Sequence, residues 1–399
     1  MQLEWIDLLW MLLPIAAASG WLAARMDQKH RDGKPRDLPS AYFQGLNFLL
    51  NEQPDKAIEV FIQVLEVDSD TVETHLALGN LFRRRGEVER AIRIHQNLIA
   101  RPTLDKSQRS LALLELGQDY LKAGLFDRAE NLFLELAEIR VHTEQALRFL
   151  VHIYQQEKEW DKAISASRRL ARVSGRTQDE TIAQLYCEMA EQALAEQNTA
   201  QARLLVGDAF AADRNCVRAS ILLGKIEAAQ GRHREALKAW KRIEEQDPIY
   251  VGEVAALVAA GYQELHDEAG LYQYFDGLLR RHGGVTLMLA LADVIKSRDG
   301  VQAAAEFVAG WLRRQPSVQG LHGLLALNLV GADPSSQADL NLLQGVIGEL
   351  LEEHQGYLCQ ECGFRGKTLH WQCPGCHRWN TVKPIASQPD TRGQEKRRG

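Results

Sequence analysis

Residues 79–95 read GNLFRRRGEVERAIRIH. Gly79 stands twelve positions before Ala91, Phe82 stands nine before it, and Arg85-Gly86-Glu87 marks a turn between two helical stretches. The pattern recurs along the chain. Ala57, Ala91, Ala129, Ala163, Ala202, Ala236, Gly270 and Ala304 follow one another at steps of 34, 38, 34, 39, 34, 34 and 34. Twelve residues before each lie Gly45, Gly79, Gly117, Val151, Ala190, Gly224, Val258 and Ala292, mostly Gly or Ala. Phe48, Phe82, Tyr120 and Tyr154 precede the first four by nine, and Phe61, Phe133, Trp240 and Tyr274 follow four of them by four. Pro248 and Pro316 end two of the units.

A 34-residue period with small residues at two fixed places and large ones between resembles the tetratricopeptide repeat. Each unit is then a pair of antiparallel helices. Small residues sit where the two cross closely, large apolar ones fill the adjacent holes, and stacking buries what one unit cannot bury alone. The expected fold is all-α: a superhelical tetratricopeptide solenoid over residues 37–350, in about eight or nine units, with residues 318 to 350 as a further helical pair that caps the array. Such a solenoid is a binding scaffold, and no GxxxxGK[ST], GxSxG or HExxH motif occurs in it. His75, His95, His142 and His152 have no ligand spacing and read as surface or packing residues. Arg83-Arg84-Arg85 reads as a solvated helix end, with contact to an acidic partner as the sharper alternative.

The second strong signal is Cys359-Gln-Glu-Cys362 and Cys373-Pro-Gly-Cys376, two CxxC pairs separated by a short loop. Four thiolates at about 2.3 Å form a closed tetrahedral site that suits one zinc or iron ion, with no position left for an activated water. Gly363 and Pro374-Gly375 allow tight knuckles whose amides point at the sulfurs. The metal ligands are read as Cys359, Cys362, Cys373 and Cys376, over residues 355–384; disulfides or uncoordinated thiols are the competing reading. His370 and His377 flank the second pair; either could replace a thiolate, and both are read as exposed loop residues. Phe364, Trp371 and Trp379 are expected to form the ribbon's own small core. Cys187 and Cys216, outside the cluster, are read as buried small hydrophobes.

At the other end, Leu8 to Ala24 is a run of 17 uncharged residues, the lower limit for one membrane span. Glu4 and Asp7 precede it, so a cleaved signal peptide fits poorly. Asp7 is read as snorkelling to the interface, or else as touching a partner helix. Arg25, Lys29, Arg31, Lys34 and Arg36 follow, which puts the remainder on the cytoplasmic side. Residues 1–24 are therefore read as an anchor, 25–36 as a basic juxtamembrane linker, and the polar stretch 385–399 as a disordered tail. The net charge of −6 argues against nucleic acid as the main ligand.

The order of anchor, repeat array and rubredoxin-type ribbon resembles the bacterial lipopolysaccharide assembly protein B family. The opening MQLEWIDLLWMLLPIAAASGW and the ending YLCQECGFRGKTLHWQCPGCHRWNTVKP carry the resemblance most specifically. It implies a non-enzymatic inner-membrane adaptor that brings the deacetylase LpxC to the membrane protease FtsH and is restrained by a PbgA-type membrane regulator. It also implies contacts with lipopolysaccharide synthesis and export proteins, and leaves room for a homodimer. The family's metal ligands fall on Cys359, Cys362, Cys373 and Cys376. A passive scaffold for synthesis enzymes and an iron-dependent redox protein are the other two classes open to this sequence.

Overall fold

A computed structural model describes residues 40–51, 53–67, 72–330, 334–353 and 356–385. The expected anchor (residues 1–24), the expected linker (25–36) and the expected tail from residue 386 onward lie outside the described residues. No helix among those described is long and apolar enough to cross a membrane.

The described chain up to residue 353 is helical, and the helices come in pairs joined by short turns. The pairs are α1 (Ser40–Leu50) with α2 (Pro54–Val67), α3 (Val72–Arg84) with α4 (Val88–Ile99), and α5 (Lys106–Lys122) with α6 (Phe126–Glu138). Next come α7 (Thr143–Gln156) with α8 (Trp160–Ser174), α9 (Asp179–Ala195) with α10 (Thr199–Ala212), and α11 (Val217–Ala229) with α12 (His233–Lys241). A short helix α13 (Ile243–Gln246) and a 3-10 turn (Pro248–Tyr250) lead into α14 (Val251–Glu264) with α15 (Glu268–His282). The last pairs are α16 (Val285–Asp299) with α17 (Val301–Leu312), and α18 (Val318–Leu329) with α19 (Pro334–Glu353). The chain divides into two compact units, one ending at Ala146 and the other beginning at Leu147. Tetratricopeptide repeats and a small terminal ribbon thus make up the described chain.

What joins the two helices of a unit is a ring seated on a glycine. A Cβ placed on Gly45 would stand 2.5 Å from Phe61 Cε1, and one on Gly117 would stand 2.6 Å from Phe133 Cε1. Gly79 meets the ring of His95, and Gly224 meets Trp240, in the same way. Each ring lies sixteen residues after its glycine and is buried. Where the first helix carries something larger, the second carries something smaller. Val151 is matched by Ser167, Ala190 by Val206 and Ala292 by Val308, all buried. Close packing leaves a fixed volume at the crossing, so the two positions trade size.

His95 therefore holds a core position rather than a surface one. Its Nδ1 lies 2.5 Å from Oδ2 of Asp119, and both side chains are fully buried. A carboxylate can only accept, so Nδ1 carries the proton. Arg83 completes the group from α3. Its guanidinium reaches Asp119 Oδ1 at 2.8 Å and Glu115 Oε2 at 2.6 Å, both on α5. The solvated helix end expected for Arg83-Arg84-Arg85 thus holds for Arg84, which is exposed, but not for Arg83. A charged group at a helix end pairs across units once the next helix brings a carboxylate within reach.

The longer steps in the repeat fall between units. Residues 100–105 form a turn ended by a capping box, in which the Gln108 amide donates to Asp105 Oδ1 at 2.7 Å. Gly175 closes α8 in the left-handed region at φ 67°. In the seventh unit the register differs from the one read in the sequence. Asp267 caps α15 through the amide of Gly270 at 2.9 Å, so the buried positions are Leu271 and Phe275, not Gly270 and Tyr274. The step into this unit is one residue longer and the step out one shorter, because the turn at Leu265–Asp267 sets the phase.

The crossing rule predicts the outcome of a double-mutant cycle. Gly117→Ala should destabilise the N-terminal unit by about 1–3 kcal/mol through overpacking. Combined with Phe133→Val, which recreates the Ala190/Val206 combination, it should cost clearly less than the sum of the two single changes in urea denaturation. Strict additivity would show that the two positions do not share one volume.

Candidate metal centre

The ribbon is a three-stranded antiparallel sheet in the order β2-β1-β3, made of β1 (Tyr357–Cys359), β2 (Arg365–Gly366) and β3 (Val382–Pro384). Its two cysteine knuckles repeat the same backbone path. The amide of Cys359 donates to the carbonyl of Phe364 at 2.7 Å, and that of Cys373 to Arg378 at 2.9 Å. Gly363 donates to the carbonyl of Cys359 at 3.0 Å, and His377 to Cys373 at 2.9 Å. Both residues after the second cysteine are left-handed, Gly363 at φ 76° and His377 at φ 57°. A non-glycine there is uncommon, so His377 sits in its loop as a turn residue, and the cysteine sulfurs converge without it.

The four sulfurs lie within 4.8 Å of one another. Cys359 and Cys376 are 3.8 Å apart, and Cys362 and Cys373 are 3.6 Å apart. Four thiolates at 2.3 Å from one tetrahedral ion would stand about 3.8 Å apart, so the spacing fits a single ion. A Cβ on Gly375 would stand 3.3 Å from Cys362 Sγ, a tight contact that the glycine avoids. Four cysteines close together in a rubredoxin-like ribbon are a donor set for one metal ion.

The electrostatics point the same way. Burial raises the Cys359 thiol, but the Thr381 hydroxyl at 3.3 Å and the amides of Cys362 and Glu361 outweigh it and hold the group at about 6. Burial pushes Cys373 up to about 12, against the amides of Cys376 and Gly375. The Phe364 amide pulls Cys362 down, yet burial and the Cys359 sulfur leave it raised. Four thiols this close cannot all ionise unless a cation joins them. Thr381 carries no signal in the sequence, where it is one threonine beyond the second CxxC pair.

The ribbon does not stand alone. Cys359, Cys373 and Val382 form its buried core, with Phe364 packed beside them, and Trp379 is buried too. Trp371 was expected to join that core, and instead it packs outward onto the helices of the C-terminal unit. Its ring lies 5.5 Å from Tyr250, and the Arg218 guanidinium stands 5.9 Å over it. So small a sheet has too little interior for three large aromatics, and the third finds its cover on the helices. Arg218 is itself buried and held by Glu188 and Glu191, each at 2.8 Å.

Polar contacts ring this anchor. Tyr250 donates to Asn380 Oδ1 at 2.9 Å, and Tyr357 to Glu253 Oε2 at 2.8 Å. Lys383 donates to Asp247 at 2.9 Å and stands 4.6 Å over the Tyr250 ring. Asn380 donates to Glu180 at 2.7 Å and Gln372 to Gln155 at 3.0 Å, while His152 faces His377 at 5.7 Å. Burial raises the Tyr250 hydroxyl, with Asp247, Glu180 and Glu253 adding to it, so Tyr250 is a neutral donor. The ribbon is thereby seated on α7, α9, α11 and α14. None of these partners was visible in the sequence, where they stand roughly a hundred to two hundred residues away. Cys187 and Cys216 are buried as expected, with their sulfurs 3.8 Å apart.

Comparison with known proteins agrees with this division. Residues 357–384 match the family described as rubredoxin metal binding domain, and residues 74–110 and 187–248 match tetratricopeptide repeat families. Lipopolysaccharide assembly protein B of Escherichia coli K12 is 39% identical over 382 residues, which is 95% of this chain and 98% of that protein. The Haemophilus influenzae protein of the same name is 36% identical over 397 residues, 96% of this chain and 99% of its own.

Tyr250 is the array's central contribution to the seat. Tyr250→Ala should free the ribbon while leaving its knuckles intact. Amide exchange over residues 357–384 should rise at least tenfold, with the bound metal still stoichiometric. Unchanged exchange would show that the seat does not depend on the ring.

Proposed function

Since the chain belongs to the lipopolysaccharide assembly protein B family, we propose that it is an inner-membrane adaptor of lipopolysaccharide assembly that presents the deacetylase LpxC to the membrane protease FtsH. The observation that carries this reading is similarity running through almost the whole of both relatives. An adaptor needs surfaces held in fixed relation, and the seated ribbon gives the C-terminal unit such a rigid end. The array holds a soluble client, and residues 1–24 act as a single-pass anchor with the array on the cytoplasmic side. Confinement beside a membrane-bound protease raises the effective concentration of the client there. A PbgA-type regulator and export proteins are further partners, and no step of chemistry is assigned to the chain itself.

In this reading Cys359, Cys362, Cys373 and Cys376 hold one zinc or iron ion. When bound, the ion supplies a closed crosslink between the knuckles. The chain's own part is to set the sulfurs tetrahedrally, to aim amides and the Thr381 hydroxyl at them, and to keep the finished ribbon against Tyr250 and Arg218. An iron-loaded ribbon would absorb visible light, and a zinc-loaded one would not.

Two measurements test the proposal. Deleting the protein should lengthen the half-life of LpxC several-fold in growing cells. An unchanged half-life would leave only a passive scaffold for synthesis enzymes. Replacing Cys373 and Cys376 with Ser should abolish stoichiometric metal, since such sites supply on the order of 10 kcal/mol to small modules. The helical circular dichroism should stay nearly unchanged, because the repeats have their own core. One metal per chain in the double variant would overturn the ligand assignment.

A further inference from the structure

We propose that the exposed face of α19 is a docking surface for a basic amphipathic helix of a partner protein. The helix has two apolar sides. Leu340, Ile347 and Leu351 turn partly inward, while Leu342, Leu343, Val346 and Leu350 lie 67%, 51%, 49% and 52% exposed. Positions 342, 346 and 350 recur every four residues, so they form one stripe about 12 Å long. Helices of a repeat array are covered by the unit that follows. Here the segment after α19 is the ribbon, and it packs back on α7, α9, α11 and α14. Terminal units need a polar outer face for solubility, and this one carries four exposed large apolar side chains among its polar ones.

Charge decides among the occupants. No Lys or Arg occurs between Arg314 and Arg365, in a chain with 47 of them. Asp339 and Glu349 are exposed on α19, and Glu352 and Glu353 follow in its sequence. A second copy offering the same face would set carboxylate against carboxylate, and an anionic bilayer would set them against phosphate. A helix whose apolar stripe is flanked by Lys or Arg satisfies both the apolar surface and the charge.

The test uses the full chain in phosphatidylcholine nanodiscs and two labelled synthetic helices. They share one apolar pattern and differ in having Lys or Glu flanks. The Lys peptide should bind at least tenfold more tightly. Leu342→Ser with Val346→Ser should weaken it at least tenfold, and Asp339→Asn with Glu349→Gln should reduce the preference for Lys over Glu flanks. These side chains are exposed, and unchanged circular dichroism confirms the fold. Equal affinity for both peptides, or binding indifferent to the substitutions, would overturn the proposal. So would self-association of the unliganded chain, seen by sedimentation and abolished by the same substitutions, because the occupant would then be a second copy.

Discussion

The crossing of two helices at less than a side chain's width is the constraint from which the array follows. A ring needs a hole, and a hole needs a residue without a Cβ on the opposite helix. Once Gly45, Gly117 and Gly224 open that space, Phe61, Phe133 and Trp240 fill it, and the two helices are locked in angle and register. Burying a ring of that size contributes several kcal/mol, more than any surface ion pair in the unit. The turns, caps and longer connections then serve to bring each crossing into phase.

One crossing shows what the same geometry does with polar material. His95 takes the ring position of its unit, and its buried Nδ1–H obliges a buried acceptor. Asp119 on the next pair supplies it, and Arg83 then answers the carboxylate. Such a group links successive pairs, which apolar packing alone does less specifically. Removing one member would leave a buried charge or donor unpaired, which is costlier than the group's net worth.

The ribbon solves a different problem by borrowing. Its sheet is too small to bury three aromatics, so the knuckles and Phe364 close one side, and Trp371 is carried by the helices. The seat is mixed in character, with one tilted aromatic pair and its cation at the centre and hydrogen bonds around it. That arrangement resembles a protein interface, in which a few central residues carry the energy and the rim gives register. The consequence is mechanical, since an aromatic contact and several hydrogen bonds tie the metal module to the helices beneath it.

Much of this is legible in the sequence. A period of 34 residues with small positions twelve apart is a local pattern, and local spacing is what a helix pair reports. Two CxxC pairs are equally local, since each knuckle closes within six residues. The sequence by itself therefore determined the repeat type and the convergence of Cys359, Cys362, Cys373 and Cys376. It did not reveal that His95 is a core ring, that Arg83 crosses to α5, that the seventh unit turns on Leu271 and Phe275, or that Trp371 leaves its ribbon for Tyr250 and Arg218. Each of those depends on which side chains meet across distant segments. A residue's neighbours thirty or a hundred and twenty positions away leave no period in the chain, so only the packed structure could decide them.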